Sequence, residues 1–169
     1  MNKEKVKNSA KTNFKSGLNC AESVLKAILD NVDHNFPDET VALATGFGGG
    51  MGLTGNNCGA LLGGVMAVGL VHGRKNPLEG EFKERVDKLY GNPGLYRFFN
   101  SLPHRFTDRF GAIDCKKLNE DFDVWFDKDR FRRCMTIVIE TAEMAMDLIV
   151  EGQETGYTQP FGKNMAGKE

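Results

Sequence analysis

The run from Cys58 to about Gly73 is apolar on every side, with Leu61, Leu62, Val65, Met66, Val68, Leu70 and Val71 leaving no polar face. A helix of that kind has no side to turn to water, so the reading is a central helix surrounded by others. It is also rich in small residues, namely Gly59, Ala60, Gly63, Gly64, Ala67 and Gly69. Each glycine lowers intrinsic helix stability by roughly 1 kcal/mol relative to alanine. Close approach of neighbouring helices or of a ligand must return that loss. Just upstream the glycines thicken further: residues 46 to 64 contain nine of the twenty in the chain. Backbone of that composition suits positive φ or near contact with another group.

The flanking segments carry helical periodicity. Lys3 to Lys15 places Val6, Ala10 and Phe14 on one face. Asn19 is suited to cap a helix from Cys20 to about Val32 whose stripe is Ala21, Val24, Leu25, Ile28, Leu29 and Val32. A third helix is expected from Pro37-Asp38-Glu39 to about Thr45, leading into the glycine loop. Glu81 to Tyr90 reads as helix, and Leu95 to Phe110 as an aromatic-rich helix kinked or split at Pro103. Cys115 to Leu118 is a short helical segment, and Asn119 to Asp127 is acidic and irregular. The last helix, Asp129 to Glu151, puts Phe131, Cys134, Met135, Val138, Ala142, Ala145 and Ile149 on one face. Strand-type alternation is nearly absent. The fold class expected is all-α, a multi-helix bundle around the glycine-rich helix, with one domain over residues 1–151 and a loosely ordered tail over 152–169.

Several classes of function fall away at this point. A net charge of −1 gives no electrostatic basis for nucleic-acid binding. The basic N-terminus lacks the apolar core of a secretory signal, and Cys58 to Val71 is shorter than the roughly 18 residues of a spanning helix. A cytoplasmic protein without membrane insertion is expected. The glycine run has neither a preceding strand nor the Lys-Ser/Thr of a phosphate-binding loop. No catalytic triad or paired carboxylates stand out. His72 lies about 21 Å along its helix from Cys58, and His34 and His104 sit in turns beside prolines, where solvation is the simpler reading. Tyr96, Phe98 and Phe99 suit core packing or, alternatively, a homodimer surface.

The four cysteines carry the chemistry. Cys20, Cys58 and Cys115 open helices, where unpaired N–H groups favour a thiolate, and Cys134 faces inward on the last helix. There is no C-x-x-C, which disfavours a thioredoxin-type dithiol, a zinc knuckle and a ferredoxin run. What remains is a site assembled in space from four segments, or else inert cysteines filling the core of a helical interaction protein.

Three stretches resemble a known family: Asn19-Cys20-Ala21, Gly46-Phe47-Gly48-Gly49-Gly50-Met51-Gly52 and Cys58-Gly59-Ala60-Leu61-Leu62-Gly63. They are similar to the redox-active proteins defined by four cysteines and a CGAxxG motif. Phe106 to Leu118 resembles the segment holding that family's third cysteine, and Cys134 matches the fourth. Similar modules accompany split-Soret cytochromes, and the family is often associated with transporter genes. The resemblance implies electron transfer or redox sensing with an unidentified redox partner protein. The expected site is an iron–sulfur cluster, [2Fe–2S] by preference, on Cys20, Cys58, Cys115 and Cys134. Gly48, Gly49 and Gly50 are expected to approach the cluster or present N–H groups to it. Phe47, Met51, Phe106 and Phe110 would screen it from water. The alternatives are metal-free thiol–disulfide chemistry, in which Cys58 carries the lowered pKa of a helix N-terminus, and a zinc site.

Overall fold

The computed structural model describes residues 2–168, and among these no strand is formed. The helices are α1 (Lys3–Lys15), α2 (Cys20–Leu29), the single turn α3 (Gly48–Met51), α4 (Gly59–His72), α5 (Phe82–Tyr90), α6 (Leu95–Phe99), α7 (Ser101–Phe110), α8 (Cys115–Leu118) and α9 (Lys128–Thr155). A 3-10 stretch, Asp38–Phe47, precedes α3. The fold is all-α, as the periodicity implied.

Four helices make the body: α1, α2, α4 and α9 pack on one another, with α7 closing a further side of α4 and α9. No residue of α4 is exposed, so the all-round apolar pattern does mark the central helix. Its glycines separate into two kinds. A Cβ on Gly63 would stand 2.5 Å from the Ala21 carbonyl oxygen, so α2 passes directly over that position. Gly64 sits against Thr141 and Leu102, whereas Gly69 has nothing within 4 Å. Around this axis lie the fully buried side chains Leu25, Ile28, Phe98, Leu102, Phe106, Met146, Leu148 and Ile149.

Local chemistry sets the ends. Asn19 caps α2 in a reciprocal box: its Oδ1 accepts from the Ala21 and Glu22 N–H groups, and the Glu22 carboxylate accepts from the Asn19 N–H. Asp127 caps α9 by accepting from the Asp129 and Arg130 N–H groups. The aromatic segment is split rather than kinked, with the break at Asn100 and Pro103 in the first turn of α7. There an N–H has no intrahelical partner to lose.

The structure departs from the expected pattern at several places. The third helix winds as a 3-10 segment, because only Ala44 of its ten residues is buried and little packing enforces an α winding. Helix α2 ends at Leu29 and not Val32, although Val32 remains in the core. Phe131 is 44% exposed, lying at the edge of the α9 stripe and stacked on Phe14. Helix α9 runs on to Thr155, past the expected end at Glu151. The following residues, expected as a loose tail, lie against α4, α6 and α7. Tyr157 Oη meets His72 Nδ1 at 2.8 Å, Gly162 N donates to Asn100 Oδ1, and Arg97 stacks on Phe161. His72 and His104 are engaged in this docking, His72 while its Nε2 donates to the Ile149 carbonyl of α9 and His104 through Nε2 donating to the Lys163 carbonyl. His34 Nδ1 accepts from the Phe36 N–H and its Nε2 donates to the Leu29 carbonyl.

Candidate four-cysteine site

The glycine loop folds as a left-handed coil. Gly49, Gly50, Met51, Gly52 and Leu53 all have φ between 63° and 71°. Left-handed backbone costs roughly 1–2 kcal/mol at a non-glycine residue, so Met51 and Leu53 hold strain that the surrounding contacts sustain. The coil is closed by its own bonds: Asn56 N and Thr54 Oγ1 both donate to the Gly50 carbonyl. It then delivers the chain to a single antiparallel bridge between Asn57 and Asp114. Cys58 N donates to the Ile113 carbonyl and Cys115 N to the Asn56 carbonyl, each at 2.7 Å. Cys58 and Cys115 each lie one residue past the bridge, so alternation turns both side chains to one side.

Helix starts bring in the rest. Cys20 is the first residue of α2, Cys58 caps α4, Cys115 opens α8, and Cys134 lies in the second turn of α9. None is in a disulfide; Cys58, Cys115 and Cys134 are buried and Cys20 keeps partial exposure. The Cys20 and Cys134 thiols lie near enough that each shifts the other's ionisation. The Asn119 amide reaches both the Cys115 and Cys134 sulfurs, and a Cβ on Gly59, next to Cys58, would stand 3.4 Å from the Cys20 Cβ. Four segments remote in sequence therefore meet at one locus.

Their titration separates them. The neighbouring Cys20 thiol holds Cys134 down, to about 6, and Arg130 and Arg133 assist it against burial. Arg130 Nη1 stands 3.5 Å from the Cys134 sulfur. The Cys134 sulfur in turn pushes Cys20 well up, with burial adding to it. Burial pushes Cys58 up to about 12, although the Ala60 and Leu61 N–H groups at the mouth of α4 act the other way. Cys115 is also raised by burial, with Arg130 and Asn119 opposing. The expectation that Cys58 would be the acidified thiol is thus corrected. A dipole term of about 0.3–1 kcal/mol is smaller than the desolvation of a buried thiolate, and Cys134 has a guanidinium beside it instead.

The glycines sort by what they touch. A Cβ on Gly50 would fall 2.8 Å from the Cys115 Cβ and 2.5 Å from the Asn56 carbonyl oxygen, so this position does need close approach at the site. Gly48 faces the Asn19 side chain, and Gly49 faces Leu53 and Trp125. Gly59 does more than the sequence suggested, since a Cβ there would sit 2.6 Å from the Phe47 carbonyl oxygen and 3.4 Å from the Cys20 Cβ. Phe106 is fully buried, and Phe47 and Phe110 are partly so, but Met51 is 40% exposed and does not screen the site. Two further residues belong here. Arg130 is four residues before Cys134 on α9, and Asn119 is four after Cys115, where its amide lies between the Cys115 and Cys134 sulfurs. That fourfold spacing was the available signal for both.

Among the described residues, no group of three or more His, Cys, Asp or Glu side chains is drawn together tightly enough to hold a single metal ion. The donor set itself, four thiols and no oxygen ligand, matches iron–sulfur ligation in kind.

These features define a class: an all-α protein in which one bundle end gathers four cysteines from four segments. The chain belongs to the family described as "Putative redox-active protein (C_GCAxxG_C_C)", which matches residues 18–148. Here the motif reads Cys58-Gly59-Ala60-Leu61-Leu62-Gly63, and the structure gives its logic. The cysteine supplies a thiol, Gly59 passes the Phe47 carbonyl, Ala60 is fully buried, and Gly63 admits α2. An uncharacterized protein of Archaeoglobus fulgidus is 28% identical over 148 residues, covering 85% of this chain and 92% of its own. No solved structure matches the chain. No helix among the described residues is long and apolar enough to cross a membrane.

Proposed function

We propose that the protein is an electron-transfer or redox-sensing protein whose four cysteines bind an iron–sulfur cluster, [2Fe–2S] by preference. What supports this reading is that the segments bearing Cys20, Cys58, Cys115 and Cys134 adjoin one another, through the Asn57–Asp114 bridge, the Asn119 amide and the Gly59 approach to Cys20. A dithiol needs two cysteines, whereas a cluster takes four. A single zinc ion requires every sulfur about 2.3 Å from one centre. A cluster shares its thiolates among several irons and so asks for a wider gathering. Bound there, it would supply reversible electron transfer. The chain's own groups would hold and tune it. Arg130 and Arg133 offset negative charge beside Cys134, the mouth of α4 favours negative charge at Cys58, and buried Phe106 limits water. Four reduced thiols also suit a reducing, cytoplasmic setting and a protein partner for the electron. Anaerobic purification followed by iron and sulfide analysis tests this. Retention of both in the native chain, and loss in each single Cys→Ser variant, is expected; an iron-free native preparation overturns it.

One observation favours a second reading. Arg130 Nη1 3.5 Å from the Cys134 sulfur favours its thiolate, which suits a metal-free dithiol in which Cys134 attacks a substrate disulfide and Cys20 then displaces it from the mixed disulfide. Mass spectrometry after mild oxidation separates the two, since this reading requires a Cys20–Cys134 disulfide formed reversibly and without iron.

A further inference from the structure

Beside the cysteine site, residues 124 to 126 expose three consecutive large apolar side chains. Phe126 is 91% exposed, with Val124 at 62% and Trp125 at 41%. Core packing does not account for them. Trp125 and Phe126 border a cleft of about 670 Å³, within the roughly 300–1,000 Å³ typical of small-molecule sites. Its walls are aromatic: Phe14 of α1 and Phe131 of α9 lie nearly parallel with centroids 4.8 Å apart, and Trp125 and Phe126 line it as well.

The rim is basic. Lys128, Arg130 and Arg132 line the cleft against one carboxylate, Asp127, which is already occupied in capping α9. Arg132 pairs with Asp129, but both side chains are more than 70% exposed and such a pair is weak. Arg130 is shared with the thiol site. Its guanidinium lies 3.5 Å from the centre of the Trp125 ring, while Nη1 reaches the Cys134 sulfur. A molecule in the cleft is therefore one side chain from the thiols. A second copy of the chain is a poor occupant, because a two-fold contact would bring the same cations together.

We propose that this cleft binds a planar aromatic anion, a flat quinone-like or isoalloxazine ring bearing a phosphate, sulfonate or carboxylate. Flat rings match the aromatic walls, and the acidic substituent matches the three cations. The claim concerns binding alone and stands apart from whether the adjacent thiols carry a cluster.

Calorimetry on the anaerobically prepared full chain tests it, with flavin mononucleotide, riboflavin and anthraquinone-2-sulfonate as probes. Saturable binding of at least one of the two anions is expected, with quenching of Trp125, the only tryptophan in the chain. Binding of the flavin phosphate alone assigns a flavin, binding of the sulfonate alone assigns a quinone, and binding of both supports the shared chemistry. Phe126→Ala should weaken binding about tenfold through the lost stacking surface. Arg132→Glu should weaken the anions and, where the flavin phosphate binds, reduce its advantage over riboflavin. Both side chains are exposed, so the fold should survive, as circular dichroism would verify. Absence of saturable binding by both anions, unchanged affinity in both variants, or riboflavin binding as tightly as a bound flavin phosphate would overturn the proposal. An iron-free chain that still binds the anion would refute the cluster and leave this inference standing.

Discussion

Gly63 and Gly69 lie on the same face-to-face helix, six residues apart, yet the same substitution should act on them in opposite directions. Replacing either by alanine gains about 1 kcal/mol of helix propensity. At Gly69 nothing lies within 4 Å of the new methyl group, so Gly69→Ala should stabilise the protein by most of that amount. At Gly63 the methyl group meets three backbone atoms of one residue: the Ala21 oxygen at 2.5 Å, its Cα at 2.9 Å and its carbonyl carbon at 3.0 Å. Real Cβ atoms essentially never come closer than 3.0 Å, so α2 must retreat by about half an ångström or more. Backbone of a packed helix yields less readily than a side chain, and overpacking of this kind costs about 1–3 kcal/mol. Because the propensity gain is common to both, the difference between the variants isolates the steric penalty. Urea unfolding followed by circular dichroism should place Gly63→Ala about 1–3 kcal/mol below Gly69→Ala. Equal midpoints for the two variants would refute the claim that α2 and α4 are held at glycine-limited distance.

Other consequences are local. Asn19→Ala removes the capping box of α2 and the bond from its amide to the Thr45 carbonyl, and unfolding should show a loss of about 0.5–2 kcal/mol. Tyr157→Phe deletes the hydroxyl that meets buried His72, which should lower stability by about 1 kcal/mol and expose residues 156–168 to limited proteolysis. In the metal-free, reduced protein, ultraviolet thiolate absorbance should rise through about pH 6 as Cys134 ionises. Arg130→Met removes a cation that favours the charged form, so that step should move to higher pH; an unmoved step would show that Arg130 does not act on the sulfur.

Much of the fold could be read from periodicity because burial follows it closely. The all-round apolar α4, the stripe of α2 and the Asn19 cap each map one residue pattern onto one packing outcome. The 3-10 winding of Asp38–Phe47 was not readable, since acidic first-turn residues suit either winding and packing makes the choice. The docked residues after Thr155 also escaped, because Tyr157 finds His72 across eighty-five positions of sequence. At the site, the four cysteines were recognisable as a set, but their electrostatics were not. Helix-mouth position suggested Cys58 as the acidic thiol, whereas desolvation depends on burial and the guanidinium of Arg130 on side-chain direction. Neither is encoded in spacing alone. Gly59 and Gly63 show the same limit, their need for glycine being set by Phe47 and Ala21 arriving from other segments.

The central claim, that four thiols form one cluster-bearing redox centre, is tested most directly by electron paramagnetic resonance of the anaerobically purified chain before and after dithionite reduction. A [2Fe–2S] centre on Cys20, Cys58, Cys115 and Cys134 predicts a silent oxidised form and, on reduction, a signal whose intensity tracks the bound iron. A silent spectrum in both states, from a colourless protein whose four thiols all titrate as free, would contradict it.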